Sequence, residues 1–376
     1  MILVVTQTFA PAKGGMETYM TGVADHLARA GFEVVVLADN VRSSAAFDAE
    51  QNHYTLKRFG GFRPWRRFLK RRAVTALIAS RKIEFIICDS WKSIESLPQA
   101  LMLPVTALAH GSEYPPEPSL HKKKRITSAL ARAYLIIANS SFTAEKARAY
   151  LPKSNPVRLM IIHPPVTALP EPSLEALEKI RALLDGRGPV ISTLARLEPR
   201  KGADRIIEAL PKLIVRHPRV VFLIGGDGDD KERLQKLAQQ CGVKDSVIFY
   251  GWVTDLDTKA AILSLSDVFA MPSYNVGTSV EGFGISYIEA AWFGVPSLGG
   301  LGSGAKDAVI DGQTGLLCDG NNQADVSTKL ASLLDDPELR SKLGRAAQIR
   351  ARGELSWEAM LPRFLDALEL SKRKAA

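Results

Sequence analysis

VISTLARLEPRKGADRIIEALPKLIVR, residues 190–216, holds a strand, a loop and a helix in one line. Val190–Leu194 is a short apolar run ending at a polar turn, the pattern of a strand covered on both faces. From Ala203 to Arg216 the apolar residues recur at helical spacing behind Gly202. The same alternation runs outward in both directions. Strand-like runs lie at Ile2–Thr6, Glu33–Ala38, Phe85–Cys88, Val105–Ala109 and Leu135–Ala138, and again at Val220–Ile224, Val247–Tyr250, Val268–Met271 and Val295–Leu298. Helical periodicity fills Glu17–Ala30, stopped by Gly31, then Asp230–Cys241 and Gln323–Leu334. Strands alternating with helices predict an α/β fold with parallel sheets covered on both faces. Between the two series, HPPVTALPEPSLEALE (163–178) is rich in Pro and opens a helix, which puts a domain junction near residues 164–172. The alternative, one doubly wound sheet holding every strand, is disfavoured because open sheets rarely grow so large.

The composition agrees with a globular chain of two domains. Its 376 residues are 46% hydrophobic, 24% charged and 7% aromatic, which leaves ample apolar surface to bury and excludes wholesale disorder. No apolar run approaches the roughly 18 residues needed to span a bilayer. The opening MILVVTQTF has neither a basic leader nor a small-residue cleavage site, and reads as a buried first strand. Cys88, Cys241 and Cys318 never form C-x-x-C, so neither a disulfide framework nor a zinc site is expected, and a reducing cytosol fits. The net charge of +9 is unevenly placed: residues 1–165 carry 23 Lys and Arg against 12 Asp and Glu, and the remainder 26 against 28. The first half is therefore expected to face something anionic.

In open parallel sheets ligands bind outside the carboxyl ends of the strands. Two facing domains are thus expected to enclose a cleft lined by strand-end loops. FAPAKGGME (9–17) follows the first strand, and its Gly14 and Gly15 open a helix whose free N–H groups suit a phosphate; an ordinary glycine turn is the alternative. The spacing is not G-x-G-x-x-G, so the dinucleotide fingerprint is missing. LARLEPRKG (194–202) offers Arg196 as a planar fork and Lys201 as a point charge for one diphosphate, unless it is only a solvated loop. Asp227-Gly228-Asp229 and Asp255-Leu256-Asp257 match a metal-holding D-x-D pattern, but acidic residues at a helix start are more cheaply explained as caps. SVEGFGISYIEAAWFG (279–294) is the most specific stretch. Glu281 precedes Gly282-Phe283-Gly284, and Glu289 lies about two turns into the following helix. Two carboxylates so placed suit vicinal hydroxyls on a sugar ring and a ribose. His110, in HGSE (110–113), sits at a strand end beside a Gly, as a site residue or a satisfied structural one. No Ser/His/Asp order, H-E-x-x-H or P-loop is found.

Taken together, GGME (14–17), HGSE (110–113), Arg196 with Lys201, E-G-F-G-x-x-x-x-E (281–289) and GLGSGAKDAVIDGQTGLL (300–317) resemble glycosyltransferase family 4 over essentially the whole chain. The resemblance implies two Rossmann-like domains facing across a cleft, the GT-B architecture, with boundaries at 1–165, 166–355 and a closing helix at 356–376 that crosses back to the first domain. It implies a retaining hexosyltransferase using a GDP- or UDP-sugar, with no cofactor and no metal. Arg196 and Lys201 would neutralise the diphosphate, which Gly14 and Gly15 would approach through backbone amides. Glu281, helped by the amides of Gly282, Phe283 and Gly284, would contact the transferred sugar. Glu289 would hold the ribose, and His110 would lie near the sugar. The linker IIHPPV (161–166) departs from the Gly-Val-Asp-like turn common among relatives. A lipid-linked, lipopolysaccharide or polysaccharide acceptor is expected; a non-catalytic nucleotide-sugar scaffold, or a hydrolase or epimerase on the same fold, are the competing functions.

Between Glu50 and Glu84 there is no acidic residue, while Arg63, Arg66, Arg67, Lys70, Arg71 and Arg72 gather around Trp65 and other bulky apolar residues. Lys122, Lys123 and Lys124 form a second cluster. Basic residues among bulky apolar ones suit an anionic membrane surface, where each cation contributes about 1 kcal/mol. The expectation is a protein docked peripherally on the inner face of the cytoplasmic membrane, with a solvated charged face as the alternative. No nucleic-acid module is recognised, so nucleic acid is not an expected partner.

Overall fold

In the computed structural model, which describes residues 1–42, 44–152 and 157–370, the short apolar runs form strands buried on both faces. The chain divides into two units, Met1–Pro164 with the segment from Met360 onward, and Pro165–Ala359.

The first unit holds β1 (Ile2–Val5), β2 (Val34–Asp39), β3 (Thr55–Phe59), β4 (Phe85–Cys88), β5 (Val105–Ala109), β6 (Leu135–Ala138) and β7 (Arg158–Ile161). They make one parallel sheet in the order β3-β2-β1-β4-β5-β6-β7. The second holds β8 (Val190–Leu194), β9 (Val221–Gly225), β10 (Val247–Gly251), β11 (Val268–Met271), β12 (Ser297–Gly300) and β13 (Gly315–Cys318). These too are parallel, in the order β10-β9-β8-β11-β12-β13. Both orders run outward from the first strand of the unit and then reverse, the doubly wound, Rossmann-like pattern expected from the alternation. The switch points, β1 beside β4 and β8 beside β11, put the loops after β1 and β8 where such sheets bind ligands.

Each unit has its own core. Leu3, Val5, Ile86, Trp91 and Ile136 belong to the first. Ile191, Ile206, Leu210, Phe222 and Leu330 belong to the second, where the helix Ala203–Arg216 turns its apolar stripe inward. Burying each such side chain contributes about 1.5–3 kcal/mol.

The strands that the apolar pattern did not disclose are β3, β7 and β13, all at sheet edges. TLKRF alternates exposed and partly buried residues, and RLMI is mostly exposed, because an edge strand has solvent on one side. The basic stretch itself folds as a helix, Arg63–Ser80, with Pro64 in its first turn, where the missing N–H costs nothing. At the chain end, after the helix Trp357–Ala367, Glu369 accepts hydrogen bonds from Tyr134 Oη at 2.6 Å and Arg158 Nη1 at 2.7 Å. These ties fix the C-terminal segment to the β6–β7 edge; residues 371–376 of the expected closing segment lie outside the described residues.

Candidate functional site

The loop leaving β8 is zipped to the loop leaving β9. Ala195 N–H donates to Gly225 O at 3.2 Å, Leu197 N–H to Asp227 O at 3.0 Å, and Asp230 N–H back to Leu197 O at 3.3 Å. A Cβ on Gly226 would sit 1.9 Å from Ala195 O, so only glycine permits this approach. Asp227 accepts the Gly228 N–H at 2.8 Å and pairs with Lys231 at 3.2 Å, and these hydrogen bonds hold its carboxyl below the usual range. Asp255 caps the helix Leu256–Ser264 by accepting Thr258 N–H at 2.6 Å, and Asp257 accepts from Ser173 N–H at 2.7 Å and Ser173 Oγ at 2.6 Å. Asp227, Asp255 and Asp257 are thus engaged by their own chain.

Beyond this brace the chain makes one 3-10 turn, Pro199–Lys201, and enters the helix Ala203–Arg216 through Gly202. Gly202 has φ 75°, and a Cβ there would strike Pro272 O. The turn aims two adjacent cations at one carboxylate. Lys201 Nζ lies 2.5 Å and Arg200 Nη1 3.0 Å from the same oxygen, Oε2, of Glu281, whose side chain is only 10% exposed. Arg200 Nε also donates to Glu198 Oε2 at 2.9 Å, and Glu198 Oε1 lies 3.8 Å from Arg196 Nη1. Arg200 O accepts the Tyr274 N–H at 3.0 Å, and Glu281 O the Gly304 N–H at 2.9 Å, so both ends of the clamp are fixed by backbone. Burial pushes the Glu281 carboxyl up, but the charges and hydrogen bonds of Lys201 and Arg200 outweigh it and hold the group below its usual range. Among the described residues no donor reaches Glu281 Oε1.

Gly284 (φ 89°) caps the short helix Ile285–Trp292, and Phe283 is buried beneath the turn. Glu289 therefore lies just past the first turn, nearer the helix start than the two turns expected, because the glycines stay outside the helix. It pairs with Lys259 at 2.7 Å and is separate from the clamp. Arg200 and Lys259 are the charged partners that sequence reading passed over. Arg200 had a visible signal in its adjacency to Lys201; Lys259 comes from another helix, thirty positions away in sequence, and had none.

Of the other expected residues, Gly14, Gly15 and His110 belong to the first unit. Gly14 precedes the helix Gly15–Arg29, and a Cβ on it would collide with the Glu17 carboxylate. His110 is buried, stands edge-on to Tyr19 and has Nε2 2.9 Å from the Asp89 carbonyl, so the tautomer carries its hydrogen on Nε2. Its backbone N–H donates to Glu113 Oε1 at 2.7 Å. Asp89 in turn accepts Gln7 N–H at 2.7 Å and Thr6 Oγ1 at 3.0 Å, tying the loop after β1 to the end of β4.

Two family descriptions match the chain in succession: Glycosyltransferase Family 4 over residues 13–168 and Glycosyl transferases group 1 over residues 177–350. A GDP-mannose-dependent alpha-(1-6)-phosphatidylinositol monomannoside mannosyltransferase of Mycobacterium tuberculosis is 31% identical, with 98% of this chain and 97% of that protein covered. The chain belongs to glycosyltransferase family 4. It is a glycosyltransferase of hexosyl-transferring kind. Solved structures share the family fold. Anabaena Alr3699/HepE in complex with UDP has a TM-score of 0.81 at 20% identity, covering 98% of this chain and 99% of that one. Sucrose-phosphate synthase from Thermosynechococcus elongatus has a TM-score of 0.82 at 21% identity over the full length of both.

The basic region of this glycosyltransferase is less open than its sequence suggests. Lys70 does not belong to the surface set: its side chain is 2% exposed, with Nζ 2.6 Å from Asp39 Oδ1 and donating to Thr6 O. An ammonium inside the fold needs such partners, and the ends of β1 and β2 supply them. Arg66 pairs with Asp39 at 3.0 Å, and Arg67 and Arg125 both pair with Glu95. Arg63, Arg71, Arg72, Lys123 and Lys124 stay exposed and Lys122 is half-buried. With them Trp65 stacks on Phe68, ring centroids 5.4 Å apart, and Phe62 is 69% exposed. No helix among the described residues is long and apolar enough to cross a membrane.

Proposed function

We propose that this glycosyltransferase moves mannose from GDP-mannose to a lipid-linked saccharide acceptor at an anionic membrane surface, with retention of anomeric configuration and without a metal ion. One observation carries the proposal: a buried glutamate at the switch-point loops of the second unit, with two cations on one oxygen and none on the other. Arg196 and Lys201 are the groups for the donor diphosphate, where they stabilise the charge that builds on the leaving group. Glu281 Oε1 is the acceptor for a hydroxyl of the transferred sugar, with the amides of Gly282, Phe283 and Gly284 beside it. Glu289, held by Lys259, contacts the ribose. Gly14 and Gly15 supply backbone amides to phosphates, and His110 presents a fixed ring to the sugar. Mannose and the lipid acceptor are supported by the activity for which the 31% identical mycobacterial relative is named. Reaction without a metal is supported by Asp227, Asp255 and Asp257 being engaged in turns and caps. The membrane surface, on the cytoplasmic side, is supported by the face formed from Phe62, Trp65, Phe68, Arg63 and Arg72.

Calorimetric titration with GDP and UDP, followed by transfer from labelled GDP-mannose to phosphatidylinositol mannoside, tests the donor and acceptor. GDP binding and an α-linked product are expected. A folded protein that binds neither nucleotide overturns the proposal, and a β-linked product or loss of transfer in EDTA overturns its retaining or metal-free part. Flotation with vesicles should depend on phosphatidylglycerol; equal binding to neutral vesicles, or none to either, removes the membrane surface.

A further inference from the structure

The clamp on Glu281 holds one more cation than a single carboxylate needs. Lys201 and Arg200 both bind Oε2, and they are held very differently. Arg200 is anchored a second time by Glu198 through Nε, and its own backbone carbonyl is fixed by Tyr274. Lys201 has Glu281 as its one ion-pair partner among the described residues. A fork with five donors spans two carboxylates, whereas an ammonium on a flexible stem is free to swing.

Resting on the proposal that Lys201 binds the donor diphosphate, we infer that Arg200 is a positioning residue that takes over Glu281 when Lys201 leaves for the phosphates. Without a second cation, departure of Lys201 would strand a buried, ionised carboxylate, which is strongly unfavourable. Lys201 would then stay pinned and donor binding would weaken. With Arg200 in place, Glu281 keeps a charge partner and Oε1 stays aimed at the sugar. No proton moves in this exchange; one ion pair is traded for another.

The charged and titratable groups facing Glu281 are Arg200 and Lys201 from the 199–201 turn and the Tyr287 hydroxyl from the helix Ile285–Trp292, with Glu198 one step behind Arg200. Tyr287 is buried and donates to Met271 O at 2.5 Å, and burial pushes its hydroxyl well up, so it stays neutral. The carboxyl of Glu281 is then the group whose protonation can release Lys201.

The test is calorimetric titration of GDP and UDP into the full-length wild type, Arg200→Gln, Arg200→Lys, Glu281→Gln and the Arg200→Gln/Glu281→Gln double variant. Every affinity is taken as a ratio to wild type at the same pH, which removes titration of the nucleotide itself. Arg200→Gln should bind about tenfold more weakly at neutral to alkaline pH, a coupling typical of residues in one ion-pair network. The deficit should shrink on acidification, as protonation of Glu281 frees Lys201. Arg200→Lys should recover most of the loss. The double variant, with no carboxylate to neutralise, should bind as wild type does and without the pH trend. Glu281→Gln alone should bind at least as tightly as wild type, a result that does not depend on how Arg200→Gln folds. A deficit in Arg200→Gln that is flat with pH, a double variant as weak as Arg200→Gln, or weakened binding by Glu281→Gln would each overturn the exchange. Failure of the wild type to bind either nucleotide would instead sink the donor assignment on which it rests.

Discussion

Asp39 in the first unit and Glu281 in the second are both inward-facing carboxylates held by one lysine and one arginine. At Asp39 the cations take separate oxygens, Lys70 on Oδ1 at 2.6 Å and Arg66 on Oδ2 at 3.0 Å. Lys70 then completes its own needs with the Thr6 carbonyl. At Glu281 both cations crowd onto Oε2 and Oε1 receives no donor among the described residues. The first arrangement is finished by the chain and serves stability. The second leaves one carboxylate oxygen without a donor from the described residues beside two positive charges, which is the feature the proposed sugar contact rests on. Residue type and partner type are alike in the two; what separates structure from chemistry is how the lone pairs are shared out.

Breaking the Asp39 side should give the largest effect on stability. Asp39→Ala leaves the Lys70 ammonium uncompensated, at a cost of about 3–5 kcal/mol. Thermal and denaturant unfolding should show that loss, while nucleotide affinity of the folded fraction stays unchanged; a mild loss would mean that Thr6 O and water suffice for Lys70. Breaking the Glu281 side should move activity instead. Glu281→Gln is expected to lower kcat by about 10²–10³-fold, the range for removing one group preorganised toward the transition state, with a smaller loss of melting temperature than Asp39→Ala shows. Steady-state kinetics that showed only a raised KM would make Glu281 a binding group alone.

The comparison sharpens with pH. Lys201 and Arg200 hold the Glu281 carboxyl below its unfolded value, so the clamp contributes stability that is present above the ordinary carboxylate pKa of about 4.3 and is lost as pH falls through the lowered folded value. The melting-temperature gap between wild type and Glu281→Gln should therefore close on acidification from about pH 7 to about pH 3; a gap that widened would reverse the sign assigned to the clamp. The smallest effect on stability belongs to the exposed face. Trp65→Ala with Phe68→Ala should change unfolding free energy by no more than about 0.5 kcal/mol per site, yet cut flotation with anionic vesicles. Undiminished flotation would leave Arg63, Arg72, Lys123 and Lys124 to account for membrane attraction without the aromatic residues.

Most of the fold was legible because a strand buried on both faces must be apolar throughout, and β4, β5, β6, β8 and β11 lie where the apolar runs put them. The edge strands β3 and β7 were not, since half-exposed residues carry no such constraint, and β13, though mostly buried, is a four-residue run that opens on Gly315. In the candidate site the glycine turns were readable, because backbone approach and helix entry are local demands, whereas Glu289 lies nearer its helix start than its spacing from Glu281 suggested.

Sequence alone thus determined the α/β class, the two-part organisation, the family and the short list of charged residues, all set by local periodicity and by the few residue types that tight loops admit. Tertiary structure alone decided which cation meets which carboxylate. Lys70 went inside and Arg63 and Arg72 stayed out, although all sit in one basic stretch. Arg200 joined Lys201 on one oxygen of Glu281, and Glu289 went to Lys259. Long charged side chains reach several partners from a given backbone position, and only the packing of distant elements fixes which one they find.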